Sequence, residues 1–315
     1  MADIFLQADG LTLKNKLGIE NNPDLLRDLE YELVESRAYD LRNGDFEFST
    51  VDPAQLSGFD AAHLRAIHRH LFQDVYEWAG QTRGDEIILE GRSFYMSGPM
   101  WKGADAFTAS ERVNQRMEGL AHAIRNSPGL RSDDPDQFTA DASRVLGEVN
   151  AIHPFREGNG RTQRMFVKHL AARAGHDLSF EHVSQERMIA VSIASNRGDF
   201  APTERLIAES LDPDRRAALE KSTAFLDKNG FDWNQRYIAT TEPGREYSGK
   251  YGGADRVNFF MHDGENIHVG NMADLPRAFS KGEQISYRAG GEPHILPRPS
   301  IALDNLHDRD AGRER

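Results

Sequence analysis

The sequence predicts a mainly α-helical fold interrupted by one β-hairpin and followed by a small all-β domain, and three observations carry this. Through the first two-thirds of the 315 residues, apolar side chains recur at helical spacing. One stretch, Glu86 to Tyr95, breaks that period with β-branched and aromatic residues on either side of Glu90-Gly91. Near residue 229 the composition shifts to short apolar or alternating runs punctuated by Gly.

Asn22 followed by Pro23 reads as an N-cap and first helical position, and Leu25, Leu26, Leu29 and Leu33 continue an amphipathic run that ends near Gly44. Further helices are expected at about 60–74, 104–126, 135–151, 160–174, 183–196 and 202–226. After Lys228-Asn-Gly230, strands are expected at Tyr237–Ala239, Val257–Met261, Ile267–Val269 and Ile285–Tyr287, with Asp263-Gly264 as a hairpin turn. The expected domains are 1–229, with a core at about 10–215, then 230–300 as a small barrel and 301–315 as a polar tail that reads as a shortened linker.

Composition excludes several classes of function. With no Cys, disulfides, thiol catalysis and cysteine-ligated zinc are ruled out. A net charge of −12 argues against broad binding to nucleic acid or anionic membranes. No apolar run reaches the ~18 residues of a bilayer span, and MADIFLQADG lacks the charged and apolar regions of a secretory signal. The cytoplasm is therefore the expected location. Residues 230–299 hold nine acidic and eight basic side chains, a near balance that argues against a single-strand nucleic-acid groove and for a protein-contact or spacer role.

The chemistry concentrates in His153-Pro-Phe-Arg-Glu-Gly-Asn-Gly-Arg161 and Arg164. His153 can accept a proton from a hydroxyl near neutral pH. Glu157 can hold a hard cation such as Mg²⁺. Gly158 and Gly160 flank Asn159 where helical residues resume, so main-chain N–H groups there can surround phosphate oxygens. Arg161 and Arg164 are three apart, on one helical face. Phe155 reads as a buried anchor. His63, His68 and His70 do not share a helical face as a metal site requires, and His68 reads as an internal hydrogen-bonding residue.

HPFREGNGRTQR matches the pattern His-Pro-Phe-x-(Asp/Glu)-Gly-Asn-Gly-Arg-x-x-Arg of the Fic family at every defined position. The segments Leu13–Ile19, Leu71-Phe72 and Tyr76–Gly80 resemble flanking family landmarks. The resemblance implies a mainly α Fic fold with a β-hairpin flap, and transfer of AMP from ATP to a Ser, Thr or Tyr hydroxyl of a target protein. His153 would be the general base and Glu157 the Mg²⁺ ligand. Gly158, Asn159, Gly160, Arg161 and Arg164 would hold the triphosphate, with Arg161 on the leaving pyrophosphate and Arg164 on the γ-phosphate. The flap, at Ile87, Ile88 and Leu89, would align the target by β-strand addition. An OB-like barrel after a Fic domain resembles the type IV secretion effectors of Bartonella and related conjugation-linked Fic toxins, so delivery into a recipient or host cell is the alternative location.

Many Fic proteins carry an inhibitory (Ser/Thr)-x-x-x-Glu-(Gly/Asn) helix. Four residues before Glu20, Glu90, Glu118, Glu157 and Glu265 stand Lys16, Glu86, Asn114, His153 and Met261, so the pattern is absent. Any restraint of this kind would come from a separate small antitoxin-like protein. Two alternative functions stand beside AMP transfer: an inactive Fic-fold binding scaffold, and removal of AMP from modified proteins.

Overall fold

The computed structural model describes residues 3–102 and 105–290, so the expected tail at 301–315 lies outside the described residues. Two compact units divide the chain, Met1–Asp212 and Pro213–Arg315.

The first unit is helical. Its α1 spans Pro23–Asn43, started by the Asn22 side chain accepting the Leu25 N–H and ended at Gly44 with a φ of 69°. Leu26, Glu30, Val34, Ala38 and Leu41 are its buried positions, one stripe at helical spacing. Helix α2 spans Ala61–Phe72 and is capped by Asp60, whose carboxylate accepts the His63 N–H at 3.0 Å. A hairpin follows: β1, Glu86–Leu89, pairs antiparallel with β2, Arg92–Tyr95. Glu90 and Gly91 both have positive φ, 51° and 70°, as a two-residue primed turn requires. The short strands β3, Trp101–Lys102, and β4, Asp105–Ala106, pair next, and α3 runs over Val113–Asn126. The helix expected from 104 therefore begins later, since extended backbone and a short 3₁₀ turn at Ser110–Arg112 precede it.

Helix α4, Pro135–Ile152, is the centre of this unit and packs against α3, α5 (Asn159–Ala174), α6 (Gln185–Asn196) and α7 (Ala201–Leu211). One core joins them, with Phe72, Phe138, Phe155, Phe166, Leu170 and Leu206 essentially fully buried.

The second unit begins with α8, Pro213–Lys228. The helix expected over 202–226 is thus two helices. Pro213 removes a backbone donor and holds the preceding Asp212 extended, with ψ at 114°, so α7 ends there. Five strands follow, β5 (Tyr237–Thr240), β6 (Glu246–Ala254), β7 (Asn258–His262), β8 (Asn266–Asn271) and β9 (Gln284–Arg288), in the order β5-β8-β7-β6-β9. The β5–β8 pair is parallel and the others antiparallel. Ala218, Leu219 and Leu226 of α8 pack on Ile238, Ile267 and Val269, which is why the compact unit starts at Pro213, ahead of the composition shift near 229. Tyr247, Tyr251, Phe259, Met261, Ile285 and Tyr287 form a further apolar cluster on the sheet. No helix among the described residues is long and apolar enough to cross a membrane.

Candidate active site

The site is the connection from α4 to α5. His153 caps α4 with a left-handed backbone, φ 48° and ψ 61°, its N–H returning to the Val149 carbonyl at 3.0 Å. A non-glycine residue here costs on the order of 1 kcal/mol or more, and such strain collects at functional positions. Its imidazole stacks on Phe107, with centroids 3.8 Å apart and planes 12° from parallel.

Behind His153 the loop is locked from within. Phe155 is fully buried and stacks on His68 at 3.9 Å. The Asn159 side chain closes on Phe155 from both sides, accepting its N–H at 2.9 Å and donating to its carbonyl at 2.8 Å. Asn159 therefore shapes the loop with its amide, and what it can offer an anion is its main-chain N–H. His68 accepts the Gly80 N–H on Nδ1 at 2.8 Å, so Nε2 carries the proton and donates it to the Glu157 carbonyl at 3.0 Å. Burial holds this ring neutral, its pKa pushed down to about 3.

Helix α5 starts at Gly158, whose φ of 81° suits glycine and whose missing Cβ would lie 2.3 Å from the Phe72 ring. With Thr162 the first residue to return its N–H to Gly158, at 3.1 Å, the N–H groups of Asn159, Gly160 and Arg161 make up the first turn, where the helix dipole favours an anion.

The two arginines differ in their surroundings. Arg161 pairs with the carboxylate of Glu30, a buried residue of α1 that also accepts the Tyr76 hydroxyl, and lies 3.8 Å from Glu157 and 4.7 Å above the Phe72 ring. Arg164 has no ion pair among the described residues. Its guanidinium folds back over the first turn, with Nη1 3.3 Å from where a Gly160 Cβ would stand. Burial pushes its pKa down to about 10, the Arg161 charge acts the same way, and the Glu35 carboxylate opposes them. A partly desolvated cation with no carboxylate in ion-pair contact, beside a helix N-terminus, could receive a multiply charged anion.

Glu157 is half exposed, and one oxygen accepts the Gly158 N–H at 2.9 Å. Among the described residues no three His, Asp or Glu side chains form a metal cluster. A single accessible carboxylate beside a helix N-terminus would suit Mg²⁺ carried in by a triphosphate, because that ion is typically held by one or two carboxylates plus substrate oxygens.

The hairpin residues split by face. Ile87 and Leu89 are buried at 2% exposure each, and Ile88 is 47% exposed. The Ile88 N–H is held by Gln81 Oε1 and the Glu90 N–H by Glu77 Oε2, both at 2.9 Å. Those donors point away from β2, along the outer edge of β1. An added strand would meet this edge through main-chain groups and through Ile88, and Ile87 and Leu89 would anchor the hairpin beneath it.

Sequence reasoning passed over Glu30, Phe107 and Arg83. An acid within a Leu-rich helix and an isolated Arg both read as solvated surface, and only the fold reveals that Glu30 and Arg83 are buried. His63 and His70 find internal partners, His63 on His169 and His70 on Ser49 and the Arg37 carbonyl.

The model of the Fic/DOC family matches residues 58–171. A probable protein adenylyltransferase of Sinorhizobium fredii, y4lH, is 38% identical over 192 residues, which are 60% of this chain and 86% of the relative. A protein adenylyltransferase of Bartonella henselae is 29% identical over 294 residues, 90% of this chain. The chain spans only 52% of that relative's length. Among solved structures, the type IV secretion system effector protein BepA superposes with a TM-score of 0.82 at 28% identity, covering 92% of this chain and 97% of that one. The chain belongs to the Fic family.

Proposed function

We propose that this protein is a protein adenylyltransferase, joining AMP from ATP to a side-chain hydroxyl of a target protein. The observation that carries this is Arg164, a partly buried guanidinium with no ion pair among the described residues, folded over the first turn of α5 in the same motif as His153. With the γ-phosphate on Arg164 and the inner phosphates at the N–H groups of Asn159, Gly160 and Arg161, the α-phosphorus is directed toward His153. A target hydroxyl attacks it in line, its proton passing to His153. The new oxygen–phosphorus bond forms as the bond to the β-phosphate bridging oxygen breaks, and pyrophosphate leaves. Glu157 would hold Mg²⁺, which neutralises phosphate charge when bound. Glu30 holds Arg161 in place.

The target would enter as an extended segment along the hairpin edge at Ile88, displacing Gln81. Since no acidic side chain in the described residues pairs with Arg164, restraint of the enzyme would come from a separate protein supplying a carboxylate. Likeness to a type IV secretion effector supports delivery into another cell, with the five-stranded unit, read as OB-like, serving as spacer or protein contact. Incubation of the purified protein with ATP and Mg²⁺ in bacterial and eukaryotic lysates tests the reaction. Label from the α-phosphate is expected on protein. Label from the γ-phosphate would reverse the assignment of the nucleotide's orientation.

A further inference from the structure

We propose that Arg83 is a positioning residue for His153, working with Phe107 as a clamp that fixes both the backbone and the ring plane of the histidine; this rests on the reading of His153 as general base. Arg83 is 1% exposed and has no ion pair among the described residues. Its guanidinium instead gathers three carbonyls and one hydroxyl. Nε donates to the His153 carbonyl at 2.8 Å, Nη2 to the carbonyls of Ile152 at 3.0 Å and Thr108 at 2.9 Å, and Nη1 to Ser110 Oγ at 3.2 Å. Its own N–H donates to the Pro154 carbonyl at 2.7 Å.

Three successive carbonyls, those of residues 152, 153 and 154, thus end on one residue. They leave the C-terminus of α4, where carbonyls lack helical partners and the dipole favours a cation. The chain at His153 is left-handed and precedes proline, a conformation that must be held by its surroundings. The same guanidinium carries the second half of the clamp. Thr108 is tied to the Ala151 carbonyl by its N–H at 3.1 Å and its hydroxyl at 3.0 Å, and to Arg83 through its own carbonyl. This presents the buried Phe107 ring to the imidazole at 3.8 Å. Lysine cannot replace Arg83, because its single ammonium cannot span acceptors from two segments in the fixed fork of a guanidinium.

A staple of merely structural importance would lower stability and leave turnover by the folded fraction alone. The clamp makes a different demand. Arg83→Lys and Phe107→Leu, made in the full chain, are compared with the wild type for melting and for kcat and KM with α-labelled ATP, and Arg83→Lys also for inter-ring nuclear Overhauser contacts between His153 and Phe107. Each folded variant should lose kcat by about 10- to 100-fold, the scale of a small misplacement of a reacting group, with KM for ATP within about threefold. The inter-ring contact should vanish in Arg83→Lys although both rings remain. Retention of kcat within about twofold in the folded variants, or a persistent contact in Arg83→Lys, would overturn the proposal. If Arg83→Lys does not fold, Phe107→Leu, which leaves every Arg83 hydrogen bond in place, decides by the same kcat and KM split. The contact is read without turnover, so a wild type that transfers no label refutes the adenylyltransferase reading while the clamp is still judged.

Discussion

Arg164 and Gly158 show how single residues set the chemistry of this site. Arg164 is partly desolvated and has no ion pair among the described residues, so a phosphate bound there would recover part of what desolvation costs. Arg164→Ala should raise KM for ATP by roughly 10- to 100-fold, the loss of one or two charge-assisted hydrogen bonds, as measured by titrating ATP in the labelling assay. Gly158 is constrained by both backbone and space, since its φ is 81° and a Cβ would overlap the Phe72 ring. Gly158→Ala should therefore destabilise the protein by about 1–3 kcal/mol, seen as a lower denaturant midpoint, because strain and overpacking act together. The motif made these residues legible as a group. The different surroundings of the two arginines were not legible, because Glu30, which pairs with Arg161, lies in α1, distant in sequence.

At the level of elements, the hairpin, α2, α4 and α5 could be read from periodicity and turn chemistry. The break at Pro213 could not, because Leu206, Ile207, Leu211, Ala218 and Leu219 keep a helical period across it. Strand β6 was also missed. Its Glu-Tyr-Ser-Gly-Lys-Tyr-Gly-Gly-Ala sequence puts glycines where apolar residues are looked for, yet a Cβ at Gly249 would lie 2.5 Å from the His262 carbonyl oxygen and one at Gly252 2.2 Å from Phe260. There the demand for glycine comes from neighbours that only the folded sheet supplies. With its N–H on Gln81, Ile88 pairs with Ser93 as a non-hydrogen-bonded pair, so proline at 88 removes an outward donor and spares the β1–β2 ladder. Ile88→Pro should lower modification of an added target more than it lowers ATP binding. Equal losses in the two assays would make the hairpin a support of the nucleotide site.

For the whole molecule, buried neutral histidines link stability to pH. His63 and His68 are held near a pKa of about 3 and His169 near about 4, in each case chiefly by burial. Between these values and about 6.5 the unfolded chain binds protons that the native protein does not, so stability is lost as pH falls through 6.5. Denaturant midpoints should drop between pH 7.5 and 5.5, and His63→Gln should flatten that dependence; an unchanged slope would place the acid sensitivity elsewhere. The proposed mechanism has this chain move AMP through His153. Its most direct test is mass spectrometry of modified protein after incubation with ATP and Mg²⁺, wild type beside His153→Ala, with ATP binding measured on both. The wild type should add one AMP per modified hydroxyl, and His153→Ala should bind ATP yet lose transfer by roughly 10²- to 10⁴-fold. Undiminished AMP addition by His153→Ala would refute a general-base role for His153.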